Sequence, residues 1–176
     1  MYRVWFKRLA ENPSNNGDFM AFRVLIDTNV YEKLYEYDLA RVYALIESGK
    51  IIVYGCKVVR DELREIPPSV RVDGKSYRNQ LLLLYGDLVG KHSFPVESVI
   101  EFLAEEYWKE YNGGIPKRKI FSDFLIVATA SIHKLDIIVS NDERSMKSNP
   151  AVKAYDKANQ INSFSTPRFI SIEELV

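Results

Sequence analysis

The sequence predicts an α/β domain, a three-layer α/β/α sandwich around a central, mainly parallel sheet. Short apolar runs alternate along the chain with longer stretches of helical periodicity, the pattern of parallel strands joined by crossover helices. The runs Phe22–Ile26, 51–54 and Ile137–Val139 are apolar at nearly every position, as strands covered on both faces must be. At 176 residues, 47% of them apolar, the chain has the size and the core material of one domain.

Taken in order, residues 1–21 stand apart as an N-terminal extension, and residues 22–176 form the domain. The extension holds an Asn/Ser/Gly/Pro-rich loop at 12–18 and a second methionine, Met20, just before the first strand. Phe22–Ile26 closes on Asp27. Leu34, Tyr35, Leu39, Val42, Leu45 and Ile46 then recur at helical spacing, which predicts a helix over 31–48 stopped by Gly49. A strand at 51–54 leads to a short helix at 57–66, ended by Pro67-Pro68. Residues 70–75 read as a charged turn. Two helices, 76–89 and 96–111, form a helical-pair insert at about 76–111, with His92-Ser93-Phe94-Pro95 between them and Asn112-Gly113-Gly114 after them. The helix at 121–134 is apolar on nearly every side in its first two turns and is therefore expected to be buried. Ile137–Val139, a helix over 151–161 and a short strand at 169–170 complete the domain.

Composition removes several classes of function. Lys plus Arg number 24 and Asp plus Glu 24, so no global positive field draws the chain to nucleic acid, and any such contact must be local or carried by metal. The single Cys56 excludes an internal disulfide and a multi-Cys zinc site, and fits the reducing cytoplasm. No apolar run approaches the roughly 20 residues of a membrane helix, and the N-terminus lacks the pattern of a signal peptide. The expectation is a soluble, cytoplasmic protein with no membrane partner. No glycine-rich phosphate loop is present, and His92 and His133 have no partner at metal or triad spacing. His133 is expected in the last turn of its helix, where a cation suits the dipole.

Chemistry concentrates in four acids. Asp27 and Asp142 each follow an apolar strand, in Asp27-Thr28-Asn29 and Ser140-Asn141-Asp142, so both belong at the carboxyl edge of the sheet, where open α/β sheets bind ligands. Taken alone, each is equally a helix cap. Glu62 shares spacings of three and four with Val58, Val59, Leu63 and Ile66 and so borders a buried stripe, whereas Asp61 lines up with Arg64 and Glu65 on the solvent side. Asp123 is expected to open its apolar helix behind Ser122, where the dipole favours the charged form. Four converging carboxylates either take up protons or hold a hard cation, and oxygen-only ligation points to Mg²⁺ or Mn²⁺.

These motifs, in this order and on these elements, resemble the PIN-domain family across 22–176, nearly the whole chain. The resemblance implies a metal-dependent endoribonuclease of the VapC-type toxin kind, or a related RNA-processing protein, hydrolysing RNA to leave a 5′-phosphate. It implies Asp27, Glu62, Asp123 and Asp142 as the catalytic, metal-holding acids, with Thr28, Asn29 and Ser140 as supporting polar residues. An antitoxin protein and a homodimer follow as expected partners, the dimer built on the apolar surplus of the helices at 76–89 and 96–111. Lys117, Arg118 and Lys119 before Asp123, and Arg144 and Lys147 after Asp142, are the expected contacts to the RNA backbone. The helical-pair insert and the N-terminal extension depart from the smallest family members. The alternative is a nuclease-inactive PIN-like module that binds RNA or protein. A haloacid-dehalogenase-like phosphatase would need Asp at position 29, where the chain has Asn29, and the acidic pair of a phosphoryl-transfer receiver is absent.

Overall fold

The structure, a computed structural model, describes residues 20–34 and 39–176. The expected loop at 12–18, nearly all of the expected N-terminal extension, and Tyr35 of the expected helix over 31–48 lie outside the described residues.

Five strands form the main sheet: β1 (Phe22–Ile26), β2 (Ile51–Cys56), β5 (Ser93–Phe94), β6 (Ile137–Val139) and β7 (Arg168–Ile170). Their order is β5-β2-β1-β6-β7 and every pairing is parallel. The register sets Ile26 of β1 beside Val139 of β6, so the residues that follow these two strands emerge as neighbours. The chain runs outward from β1 to β2 and β5, then crosses back to β6 and β7. The β1–β6 boundary is therefore the switch point of the sheet, where departing connections leave a crevice beyond the strand ends.

The connecting helices are α1 (Thr28–Lys33), α2 (Leu39–Glu47), α3 (Lys57–Glu65), α4 (Tyr77–Val89), α5 (Ser98–Glu110), α6 (Lys117–Ile132), α7 (Asn149–Ile161) and α8 (Ile172–Leu175). Right-handed crossovers put α1 to α4 on one face of the sheet and α5 to α7 on the other. Packing agrees: α4 lies against α1, α3 and β2, while α5 lies against α6 and α7. The two helices expected as a paired insert at about 76–111 therefore do not pair, and each is part of a different layer. The four consecutive leucines of α4 divide as helical geometry requires, with Leu81 and Leu84 buried and Leu83 73% exposed.

Three further expectations change. The charged turn at 70–75 is a hairpin, β3 (Arg71–Val72) and β4 (Lys75–Ser76), closed by Asp73 and Gly74 with φ of 50° and 75°. That is the two-residue turn that Asp-Gly favours. The segment expected to link two helices at 92–95 contains the edge strand β5, fixed by Gly55 N donating to His92 O (2.9 Å) and by Phe94 stacked between Tyr54 and His133. His133 stands at the C-cap of α6, but burial lowers its pKa, so it serves there as a neutral ring against Phe94 rather than as a cation for the dipole. The α2 stop is as expected: Gly49 takes a φ of 68°, and Gly49 N and Lys50 N close on Ile46 O and Leu45 O.

The core lies on both faces of β1 and β6, whose Val24, Leu25, Ile26, Ile138 and Val139 are fully buried. Helix α6 crosses one face with Phe124, Ile126, Val127, Ala128 and Ala130 all buried, as its apolar pattern requires. On the other face, Tyr85 of α4 donates from its hydroxyl to Cys56 O (3.1 Å) and meets Ser93 Oγ at 3.0 Å, tying the end of β2 to β5. Gly55 permits this approach, because a β-carbon there would overlap the Tyr85 hydroxyl. Gly55→Ala should consequently destabilise the fold by about 1–3 kcal/mol, measured by urea denaturation. An unchanged midpoint would show that Tyr85 does not brace β2 in this way.

Candidate active site at the carboxyl edge of the sheet

Asp27 ends β1 and is the N-cap of α1, so the cap explanation and the acidic site coincide in one residue. It is 4% exposed. Its Oδ1 accepts from Thr28 N (2.7 Å), and its Oδ2 accepts from Asn29 Nδ2 (2.5 Å) and Ser140 Oγ (2.7 Å). Burial nevertheless raises its pKa to about 6; these bonds pull the other way, and the charges of Glu62 and Asp142 add to the rise.

Ser140 and Asn29 hold the two strand ends together. The Ser140 hydroxyl, fully buried, also accepts from Asp142 N (3.1 Å), and Asn29 Oδ1 accepts from Asn141 N (3.2 Å). Asn141 Oδ1 in turn accepts from Ile172 N (3.1 Å), so α8 is anchored to the same loop. Thr28 reaches the other way and donates its hydroxyl to Glu62 Oε2. Glu62 therefore points inward from α3 as its spacing predicts, with a hydroxyl rather than an arginine as partner. Asp61 faces outward between Lys57 and Arg64.

Asp123 departs from its expected setting. Helix α6 begins at Lys117, four residues earlier than 121, so Asp123 is its seventh residue and Ser122 does not cap it. The dipole of the first turn does not reach it. Its Oδ2 is enclosed and has no hydrogen-bond partner among the described residues. Burial raises its pKa to about 7; the Ser145 hydroxyl pulls the other way, and the charges of Asp27, Asp142 and Glu62 add to the rise. Asp123 and Asp27 are thus each within electrostatic reach of the other three acids. Asp142 is the contrast: Oδ1 accepts from Arg144 N (2.8 Å) and Ser145 N (2.9 Å), and Oδ2 accepts from the Ser145 hydroxyl. Burial works against its charge, but these bonds and the Arg144 guanidinium outweigh it and hold the carboxyl below its ordinary range. Ser145 escaped sequence reasoning; its signal was the Asp-x-x-Ser spacing by which an aspartate folds the following backbone onto itself.

The expected basic residues divide. Lys117 is engaged with Glu105 at 2.6 Å and lies 4.8 Å from the Phe121 ring centre, and Lys147 is tied to Ser140 O and Glu143. Neither matches a free phosphate contact. Arg118, Lys119 and Arg144 are exposed. The first two stand in the first turn of α6, not in a loop before it.

The donor set at this edge is all oxygen, and its raised pKa values mark unbalanced negative charge, both suited to a hard divalent cation. Among the described residues no three of these side chains come together closely enough to grip one ion between them. Magnesium sites commonly use one or two carboxylates and keep several waters, which is within the means of this arrangement.

The pH dependence has a definite sign. Asp27 and Asp123 bind protons more tightly folded than unfolded, so without metal their contribution to stability is present at low pH and is lost as pH rises through about 6 and 7. Asp123→Asn should raise the Tm of the metal-free protein by about 4 °C or more at pH 8 and by little at pH 4. Equal shifts at both pH values, measured by thermal denaturation in chelator, would contradict the raised pKa.

No family model matches the chain, and no curated protein is similar to it in sequence. Solved structures are similar in fold. VapBC2 from Rickettsia felis, bound to a DNA fragment from their promoter, aligns at a TM-score of 0.52 with 10% identity, covering 85% of this chain and 98% of that one. FitAB bound to the IR36 DNA fragment aligns at 0.52 with 22% identity over 84% and 94% of the two chains. FitAcB from Neisseria gonorrhoeae aligns at 0.50 with 19% identity over 84% and 96%. At these identities the likeness is one of architecture: parallel sheet, covering helices and acidic carboxyl edge together make the fold of this chain PIN-like.

Proposed function

We propose that the protein is a metal-dependent endoribonuclease of PIN type, working as the toxin of a toxin–antitoxin pair. The observation that supports this is the mutual charge effect of Asp123 and Asp27 with Glu62 and Asp142, beside the burial that raises the pKa values of Asp27 and Asp123. Asp27, Asp123 and Asp142 would hold Mg²⁺ or Mn²⁺, with Glu62 as a further ligand or as the group that orients the attacking water. A divalent cation bound there supplies positive charge that makes water more acidic and offsets charge on the scissile phosphate.

The chain's own residues supply the rest. Ser140 and Asn29 fix Asp27, so its carboxyl does not turn when substrate arrives. Thr28 occupies one oxygen of Glu62 and leaves the other to orient the water that adds to phosphorus. The P–O3′ bond breaks, giving a 5′-phosphate and a 3′-hydroxyl. Arg118, Lys119 and Arg144, all exposed, would meet the flanking phosphates and make binding salt-dependent.

The VapBC2 and FitAB structures are complexes on DNA, which supports an antitoxin as the protein partner of this chain. A homodimer belongs to the same proposal. Because α4 and α5 lie in different layers, it would cover the exposed Leu83 of one or the exposed Phe102 of the other, but not one continuous patch. A nuclease-inactive binding module is the second reading, and the absence of a closed three-acid grip among the described residues favours it.

A ribonuclease assay separates the two. The wild type should cleave RNA with Mn²⁺ and not with chelator, and Asp27→Asn or Asp142→Asn should lower the rate by about 100-fold or more. Arg118→Ala with Lys119→Ala should raise KM with kcat nearly kept. A folded wild type that leaves RNA intact at any divalent metal concentration supports the binding module instead.

A further inference from the structure

Two tyrosine hydroxyls in the core, those of Tyr31 and Tyr155, are buried without a hydrogen-bond partner among the described residues. Each side chain is fully enclosed. An enclosed hydroxyl that gives up water without gaining a partner costs about 1–3 kcal/mol, so each calls for an account. The two differ in what they face. Tyr31 of α1 lies by Tyr85, 5.7 Å between ring centres, and its acidic neighbour is Asp27. Both oxygens of Asp27 are already supplied by Thr28, Asn29 and Ser140.

Tyr155 of α7 stands on the other face of the sheet. Its ring packs edge-on against Phe124, the residue after Asp123, at 5.7 Å, and against Tyr107 at 4.9 Å, and it stacks on Phe169 of β7 at 5.8 Å. These contacts fix the ring beneath the second turn of α6. The charge of Asp123 acts on its hydroxyl, and that of Asp142 more weakly. The enclosed Oδ2 of Asp123 is itself without a donor among the described residues. A buried donor lacking an acceptor therefore packs, through its ring, on the residue next to a buried acceptor lacking a donor. Asp123 is only partly buried, so its accessible oxygen, the one open to the cleft, is Oδ1.

We propose that Tyr155 is a positioning residue for the acidic site: its hydroxyl donates, through one enclosed water, to Oδ2 of Asp123 and keeps Oδ1 turned toward the cleft. This rests on Asp123 being a metal-holding acid. It assigns a role to a tyrosine that is distant in sequence from every motif of the site. Asp27 is fixed by its own strand end and by β6, Glu62 by Thr28, and Asp142 by Ser145. The Ser145 hydroxyl also acts on Asp123, but the enclosed Oδ2 has no donor among the described residues, and Tyr155 supplies one from below.

The test uses Tyr155→Phe, with Tyr31→Phe as the matched control that also removes a partnerless buried hydroxyl. One arm is a double-variant cycle in chelator, comparing the Tm changes of Tyr155→Phe, Asp123→Ala and the double variant. The double variant should lose about 2–4 °C less than the sum of the singles, whereas Tyr31→Phe with Asp123→Ala should be additive. Additivity for Tyr155 overturns the proposal. The other arm is calorimetric titration with Mn²⁺ alone. Tyr155→Phe should weaken binding by about 10-fold and Tyr31→Phe should leave it unchanged; equal affinities for wild type and Tyr155→Phe overturn the positioning role. A wild type that binds no Mn²⁺ but shows the non-additive cycle sinks the metal site while upholding the bridge from Tyr155 to Asp123.

Discussion

The carboxyl group of Asp27 is enclosed at the end of the central strand, and much of the carboxyl edge of this domain is arranged around that enclosure. A buried carboxylate is unfavourable unless donors surround it. Here they come from three places at once: the start of α1, the Asn29 side chain one residue further, and Ser140 at the end of β6. Meeting that requirement brings β1 and β6 into one register at their ends, and Asn29 and Asn141 pass the constraint on to α8. The same bonds that make Asp27 tolerable thus bring Asp142 to the edge and leave Thr28 directed at Glu62.

The acids are fixed to different degrees, and the difference has chemical content. Asp142 is wrapped by backbone and hydroxyl donors that keep it ionised, whereas the desolvation of Asp123 outweighs the Ser145 hydroxyl and it retains its proton to about pH 7. A cluster holding one committed anion and two acids close to neutral is electrostatically unfinished. Adding positive charge would convert the protonated acids into ligands, and that is the physical core of the proposed metal dependence. The open spacing of the acids agrees with a cation that retains water and completes its shell with substrate phosphate.

Much of this architecture can be read in the sequence, for identifiable reasons. Strands β1 and β6 are covered on both faces and so are apolar at every position but Arg23. Asp27 and Asp142 were found because the edge of a parallel sheet is fixed by where those strands stop. Glu62 was found because a helical period of 3.6 distinguishes it from Asp61. What escaped was decided by partners rather than by local pattern. Strand β5 has two residues and exists because β2, Tyr54 and His133 receive it. The start of α6 was hidden by Lys117, Arg118 and Lys119, a charged first turn that reads like a loop. That first turn places Asp123 beyond the reach of the dipole, and burial sets the direction of its pKa. The Asp73-Gly74 dipeptide marks the hairpin turn, but the charged residues around it carry no strand pattern.

The central claim is that Asp27 and Asp123 exchange protons for a divalent cation, and proton counting tests it most directly. Calorimetric titration of Mn²⁺ into the metal-free protein, repeated in buffers of different ionisation enthalpy, yields the number of protons displaced per ion bound. With carboxyls near 6 and 7, binding should release about one proton at pH 6.5 and close to none at pH 9. Binding that releases no protons at pH 6.5, or no binding at all, would contradict the account.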